Sequence, residues 1–204
     1  LYQPHPDIHI VVAPSLLALE GLAAHLAQLG LGNVALAAQD ISPFPRGGYT
    51  GAVAADMLAG LARYAIVGHS ERRRYFHETS SDVVNKVAEA LDAGLVPIVC
   101  VESSNALSQL GALDEARTES LVVAYTPVDA LTAKFPEVVQ KVAAAAGHIK
   151  EMFSAWPVVY GGGLHPDNVG KYLQLPQLSG LFVGGASLDP ATFAEICRQA
   201  SALR

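Results

Sequence analysis

Short runs of apolar residues alternate along this chain with longer stretches in which apolar residues recur at helical spacing. The runs fall at 8–13, 34–39, 64–68, 96–101, 121–125, 157–160 and 180–184. They are continuously apolar, without the in–out alternation of a sheet wetted on one face. Strands covered on both sides by helices read this way. Between the runs, Leu19, Leu22, Ala23, Leu26 and Leu29 mark one helix closed by Gly30, and Val53, Met57, Leu58 and Leu61 mark a second. Val83, Val84, Val87 and Leu91 form an inward face closed by Gly94. Further helices are predicted at 107–113, at 136–153 with Pro136 at its start, at 169–173, and at 190–203 with Phe193, Ile196, Cys197 and Ala200 inward. A βα alternation with buried strands leaves two architectures, the doubly wound parallel sheet and the (β/α)8 barrel. In both, chemistry sits where strands end and helices begin.

Composition narrows the function classes. Lys and Arg number 13 against 19 Asp and Glu, a formal net charge of -6. Without a basic excess to neutralise phosphates, general nucleic-acid binding is not expected. Charged residues make up 16% and hydrophobic ones 51%, which calls for a large core and excludes disorder. No apolar stretch reaches the roughly 18 residues of a membrane span. The 204 residues fit one domain, 1–204. Two cysteines, Cys100 and Cys197, build no disulfide framework and read as reduced structural thiols of a cytoplasmic protein. The chain starts at Leu1 with a polar, Pro-rich segment. The expectation is that it begins inside a longer product or after processing, with no signal peptide in view.

Four junctions can carry chemistry. After the third run comes Gly68-His69-Ser70-Glu71-Arg72-Arg73-Arg74. A His placed there points into the carboxyl-end crevice, with Ser70 as candidate cap of the next turn. A helix N-terminus beside the ring would favour a neutral imidazole able to donate a hydrogen bond. The same residues also read as a structural His next to an ion-paired arginine face. After the sixth and seventh runs come Gly161-Gly162-Gly163 and Gly184-Gly185. Such turns either bring backbone N–H groups to an anion or simply bend tightly. After the fifth run, Thr126 and Asp129 offer one hydroxyl and one carboxylate. His5 and His9 are separated by Pro6 and share no helix face, so no metal site is expected.

Taken together, Gly68-His69-Ser70-Glu71-Arg72-Arg73-Arg74-Tyr75-Phe76, Gln39-Asp40 through Gly48-Tyr49-Thr50-Gly51, Tyr160-Gly161-Gly162 and Val183-Gly184-Gly185-Ala186-Ser187-Leu188 resemble the triosephosphate isomerase family. The resemblance runs from about Ile8 to Ala200, with a short middle as in compact members. It implies an α/β fold, the (β/α)8 TIM barrel, with about seven of eight strands legible. It implies interconversion of dihydroxyacetone phosphate and glyceraldehyde 3-phosphate, in glycolysis and gluconeogenesis, without a cofactor or metal. His69 would polarise the substrate carbonyl, supported by Glu71. The backbones of Gly163, Gly184 and Gly185 would hold the phosphate; a mild exchange of Ser for Gly is implied at Gly163. The loop 41–50 resembles the family's dimer loop, so a homodimer or an assembly of dimers is implied, in the cytoplasm, with a triose phosphate or other small phosphorylated ligand as partner.

Three departures stand against this pattern. The family's first strand, with its Asn and Lys, has no match before Ile8, and an additional upstream strand carrying a Lys is expected. The family's catalytic base belongs to Tyr-Glu-Pro, and this chain has Tyr125-Thr126-Pro127. Thr126 holds the base position and cannot act as a base near neutral pH. The lid, which carries Gly-Thr-Gly in the family, contains no glycine from Asp129 to Lys134. Two functional readings follow. One is an isomerase whose catalysis is strongly impaired. The other is a catalytically silent barrel that binds phosphorylated metabolites or a protein partner.

Overall fold

A computed structural model describes residues 5–102, 106–113, 120–133 and 135–203. These fall into two compact units. The first is His9–Cys100 with Gly111–Leu121; the second is Val101–Leu110 and Val122–Arg204 with the N-terminal segment to Ile8.

In the first unit, β1 (Ile10–Val12), β2 (Val34–Ala38), β3 (Tyr64–Val67) and β4 (Val96–Val101) follow one another in a parallel sheet. The register sets Val11 beside Ala35, Ala38 beside Ala65, and Val67 beside Val99. The connections are α1 (Leu16–Leu29), a 3-10 turn at Ala55–Leu58, then α2 (Ser70–Tyr75) and α3 (Ser80–Asp92). The continuous apolar runs are explained here: Ala37, Ala65, Val67 and Val99 are all buried, and α3, with Val83, Val87 and Ala90 buried in turn, packs against β3. Thr79 and Asp82 start α3 with reciprocal side-chain-to-backbone bonds of 3.1 and 2.9 Å. The inward face of α3 differs from the one predicted. Lys86 is buried with Val83, Val87 and Ala90, while Val84 and Leu91 are only half-buried.

The second unit carries α4 (Ala106–Gly111), β5 (Val122–Tyr125), α5 (Val128–Ala133), α6 (Val139–Met152), β6 (Val158–Tyr160), α7 (Pro166–Leu173), β7 (Gly180–Leu181) and α8 (Pro190–Ala202). β5, β6 and β7 are parallel, with Tyr125 beside Tyr160 and Tyr160 beside Leu181. Val142, Ala146 and Ile149 of α6, with Val169 and Tyr172 of α7, complete this core. Two boundaries differ from the sequence reading. The residues that resemble a shortened lid include the helix α5. The long helix begins at Val139, with Pro136 outside it, because the Glu137 N–H is bonded to the Tyr160 phenol at 2.8 Å. No helix among the described residues is long and apolar enough to cross a membrane.

Candidate functional site

β3 ends at Gly68, whose φ of +70° is a left-handed conformation. A Cβ there would lie 3.2 Å from the Val83 side chain and 3.3 Å from the Cys100 carbonyl. Only glycine lets the chain turn so sharply out of the strand against these neighbours. The turn delivers His69 to the start of α2. His69 itself, not Ser70, is the cap: its Nδ1 accepts the Glu71 N–H at 3.3 Å. With Nδ1 accepting, the proton of the neutral ring resides on Nε2, which becomes a donor. Burial depresses the imidazole pKa below its ordinary value. The Glu71 carboxylate, 3.7 Å from Nδ1, opposes the shift, Arg73 reinforces it, and Glu78 opposes it. A neutral Nε2–H donor is the form that can polarise a carbonyl without trapping the developing oxyanion as a full ion pair.

The arginines behind His69 are tied down individually. Arg72 Nη2 lies 2.9 Å from Asp40 Oδ2, and Arg73 Nη1–H donates to the Cys100 carbonyl at 3.0 Å. Arg74 stacks over the Tyr75 ring at 5.5 Å. Lys86 joins from α3, 2.6 Å from Asp40 Oδ1 and in direct contact with Glu78 Oε1. Sequence reasoning foresaw an ion-paired face but missed Lys86. Its charge sits where the helical period calls for an apolar residue, and its partners come from two other segments.

In the second unit, Thr126 follows β5 and is fully buried. Its N–H donates to the Val101 carbonyl at 2.9 Å, and its hydroxyl reaches the same oxygen at 3.4 Å. The hydroxyl is thus engaged as a donor, and a Thr of ordinary acidity holds its proton near neutral pH. Asp129 is exposed on the first turn of α5.

Gly163 also has a left-handed φ, +57°. Asn168 braces it from α7: its Nδ2–H donates to the Gly163 carbonyl at 3.0 Å while Oδ1 accepts the His165 N–H at 3.0 Å. A Cβ on Gly163 would stand 2.6 Å from the backbone of Phe135 and Pro136. The Ser that the resemblance makes a mild exchange does not fit here. Gly163→Ser is expected to cost about 2–4 kcal/mol, combining a left-handed penalty of about 1 kcal/mol with roughly 1–3 kcal/mol of overpacking. Urea denaturation would measure it, and an unchanged midpoint would count against this packing.

Gly184 and Gly185 differ from Gly163 in having open space where a Cβ would point. The Ser187 N–H and hydroxyl both donate to the Gly184 carbonyl, at 2.8 and 2.7 Å, and shape a 3-10 turn at Gly185–Leu188. The N-terminus of α8 beyond it is capped by the Asp189 carboxylate, which accepts the Thr192 N–H at 2.8 Å. Among the described residues, no cluster of three or more His, Cys, Asp or Glu side chains is arranged to hold a metal.

The triosephosphate isomerase family model matches residues 1–200. The chain belongs to the triosephosphate isomerase family. Triosephosphate isomerase from Stenotrophomonas maltophilia is 37% identical over 223 residues, covering 98% of this chain and 88% of that protein. The enzyme of Herminiimonas arsenicoxydans is 40% identical over 203 residues, covering 88% and 82%. The crystal structure of triosephosphate isomerase from Bartonella henselae matches with a TM-score of 0.81 at 29% identity, covering 94% of this chain and 86% of that one. The fold class is therefore that of the α/β TIM barrel, with seven parallel strands among the described residues. The Stenotrophomonas match spans 223 positions against a chain of 204 residues, so that relative carries internal residues absent from this triosephosphate isomerase-family chain.

Proposed function

We propose that this chain is a triose-phosphate-binding member of its family in which isomerisation of dihydroxyacetone phosphate and glyceraldehyde 3-phosphate is strongly impaired. The observation that carries the reading is Thr126. At the place of the family's base stands a buried hydroxyl bonded to the Val101 carbonyl. The reaction removes a proton from the carbon beside a carbonyl and returns it to the neighbouring carbon. It needs a base for the proton and an electrophile for the oxygens. His69, which caps α2 through Nδ1 and whose pKa burial lowers, supplies the electrophile, and Glu71 flanks it. The backbone N–H groups of Gly163, Gly184 and Gly185 hold the phosphate, without cofactor or metal.

In this reading residues 1–204 form one cytoplasmic barrel domain that pairs with a second copy through the loop 41–50. Supporting that pairing, Phe44 and Tyr49 stack at 4.7 Å and are 44% and 45% exposed, apolar surface that a partner would cover. Ala52, where the family commonly has Glu, would weaken the contact. Light scattering at micromolar concentration tests it, and a clean monomer rejects it.

Phosphate binding tests the site. Inorganic phosphate and a phosphorylated triose should both bind, and Gly184→Val should abolish binding. The open space at its Cβ is where the ligand would approach, so the added side chain obstructs the ligand and not the fold. Binding unchanged in Gly184→Val, with native circular dichroism, rejects the site. Binding without turnover would instead fit a barrel that holds phosphorylated metabolites and does no chemistry.

A further inference from the structure

The Gly161–Gly163 turn is covered by residues 135–137 of its own unit. At Gly163 the cover is backbone on backbone, since the carbonyl carbon of Phe135 and the nitrogen of Pro136 occupy the place of a Cβ. Two buried phenols hold the cover down. The Glu137 N–H donates to Tyr160 Oη at 2.8 Å, and Tyr172 Oη–H donates to the Glu137 carbonyl at 2.5 Å. Tyr160 Oη–H in turn donates to the Gly162 carbonyl at 3.2 Å, so one hydroxyl joins cover and turn. Both phenols are fully buried, with ring centroids 4.7 Å apart. Lifting the cover would leave the Glu137 N–H and C=O and two phenol groups without these partners, a costly opening.

We propose that Tyr172 is a positioning residue for anion binding at Gly163. With Tyr160 it fastens residues 135–137 onto the turn, so that a phosphate meets a rim already in place and no loop closes over it. The proposal rests on the phosphate reading above. Tyr172 stands on α7, the helix into which the turn leads. Turn, cover and helix are therefore joined through these two hydroxyls.

The test combines amide hydrogen exchange at Glu137 with inorganic phosphate titration, in the wild-type chain and in Tyr172→Phe, which keeps the ring and removes the hydroxyl. The Glu137 amide should be protected without phosphate and should exchange at least about tenfold faster in the variant. Phosphate affinity should fall by roughly threefold or more through lost preorganisation, while β6 amides keep their protection. If β6 loses protection in Tyr172→Phe, Tyr160→Phe removes the other bond to the same residue, Glu137, and must give the same pair of changes. A Glu137 amide that becomes protected only when phosphate is added would mean a closing lid and would overturn the proposal. So would unaltered phosphate affinity in a variant whose Glu137 amide has loosened. Failure of the wild-type chain to bind phosphate at all is a different outcome: it removes the phosphate site itself, and the positioning role with it.

Discussion

Triose-phosphate isomerisation by this chain is expected to run at least roughly a thousandfold more slowly than by family members with Glu at the base position, since positioned acid–base catalysis is worth about 10²- to 10⁴-fold. A coupled assay starting from glyceraldehyde 3-phosphate reads the rate directly. Thr126→Glu should recover at least about tenfold, the low end of a restored general base. Recovery will be partial for two reasons. The position is fully buried and its present hydroxyl points at the Val101 carbonyl, an acceptor that an ionised carboxylate would face without a proton to offer. The carboxylate must also turn toward substrate from a backbone held by the bond between its N–H and the same carbonyl. Asp129, the nearest carboxylate in sequence, is exposed three residues on. Turnover near the family's level in the unaltered chain would overturn the impaired reading, and its loss in Asp129→Asn would locate the substitute base.

The largest stability effect is expected at Lys86. Its side chain is 4% exposed and that of Glu78 is 2%, so the ion pair they form is almost wholly removed from water. Asp40 shares the Lys86 ammonium at 2.6 Å and is itself held by Arg72 at 2.9 Å. Lys86→Met leaves the Glu78 carboxylate buried, with Arg72 Nε 3.9 Å away as its remaining cation among the described residues. Breaking such a pair costs about 3–5 kcal/mol, because a charge that has lost its counter-ion still has no water. Removing both ends avoids most of that. Lys86→Met with Glu78→Met should be clearly more stable than Lys86→Met alone, as measured by denaturant midpoints at constant slope. Equal loss in the single and double variants would show that the pair contributes by packing and not by charge balance.

Fold class was legible because it depends on local patterns repeated many times. Continuous apolar runs such as 64–68 and 96–101 read as strands covered on both faces, and Ala65, Val67, Val99 and Cys100 are buried accordingly. The placement of His69 was legible for a related reason: Gly68 and His69 are adjacent, so strand end, turn and ring are one local word. What escaped were arrangements made by distant residues. The cap of α2 is a ring nitrogen and not the Ser70 hydroxyl that cap preferences favour. Lys86 looks like an exposed helix residue until Asp40 and Glu78 are folded against it. Gly163 reads as a harmless exchange for Ser until Phe135 and Pro136 lie on top of it. In each case the deciding neighbour is set by tertiary packing, which no periodicity in the sequence encodes.

The turn at Gly68 has a consequence for how activity is inferred across genomes. Four residues of the segment that most resembles the family have structural duties of their own. Gly68 is required by the approach of Val83 and Cys100, His69 caps a helix, Arg72 neutralises Asp40, and Arg73 satisfies the Cys100 carbonyl. A lineage that had ceased to turn over triose phosphates would still be held to these residues by the need to fold. Thr126 is tied as well, through its hydroxyl to the Val101 carbonyl, but that tie belongs to a hydroxyl and would not hold a carboxylate in the same pocket. The signature after β3 therefore marks descent and architecture, and under the proposed function the single residue after β5 is the one whose exchange decides catalysis.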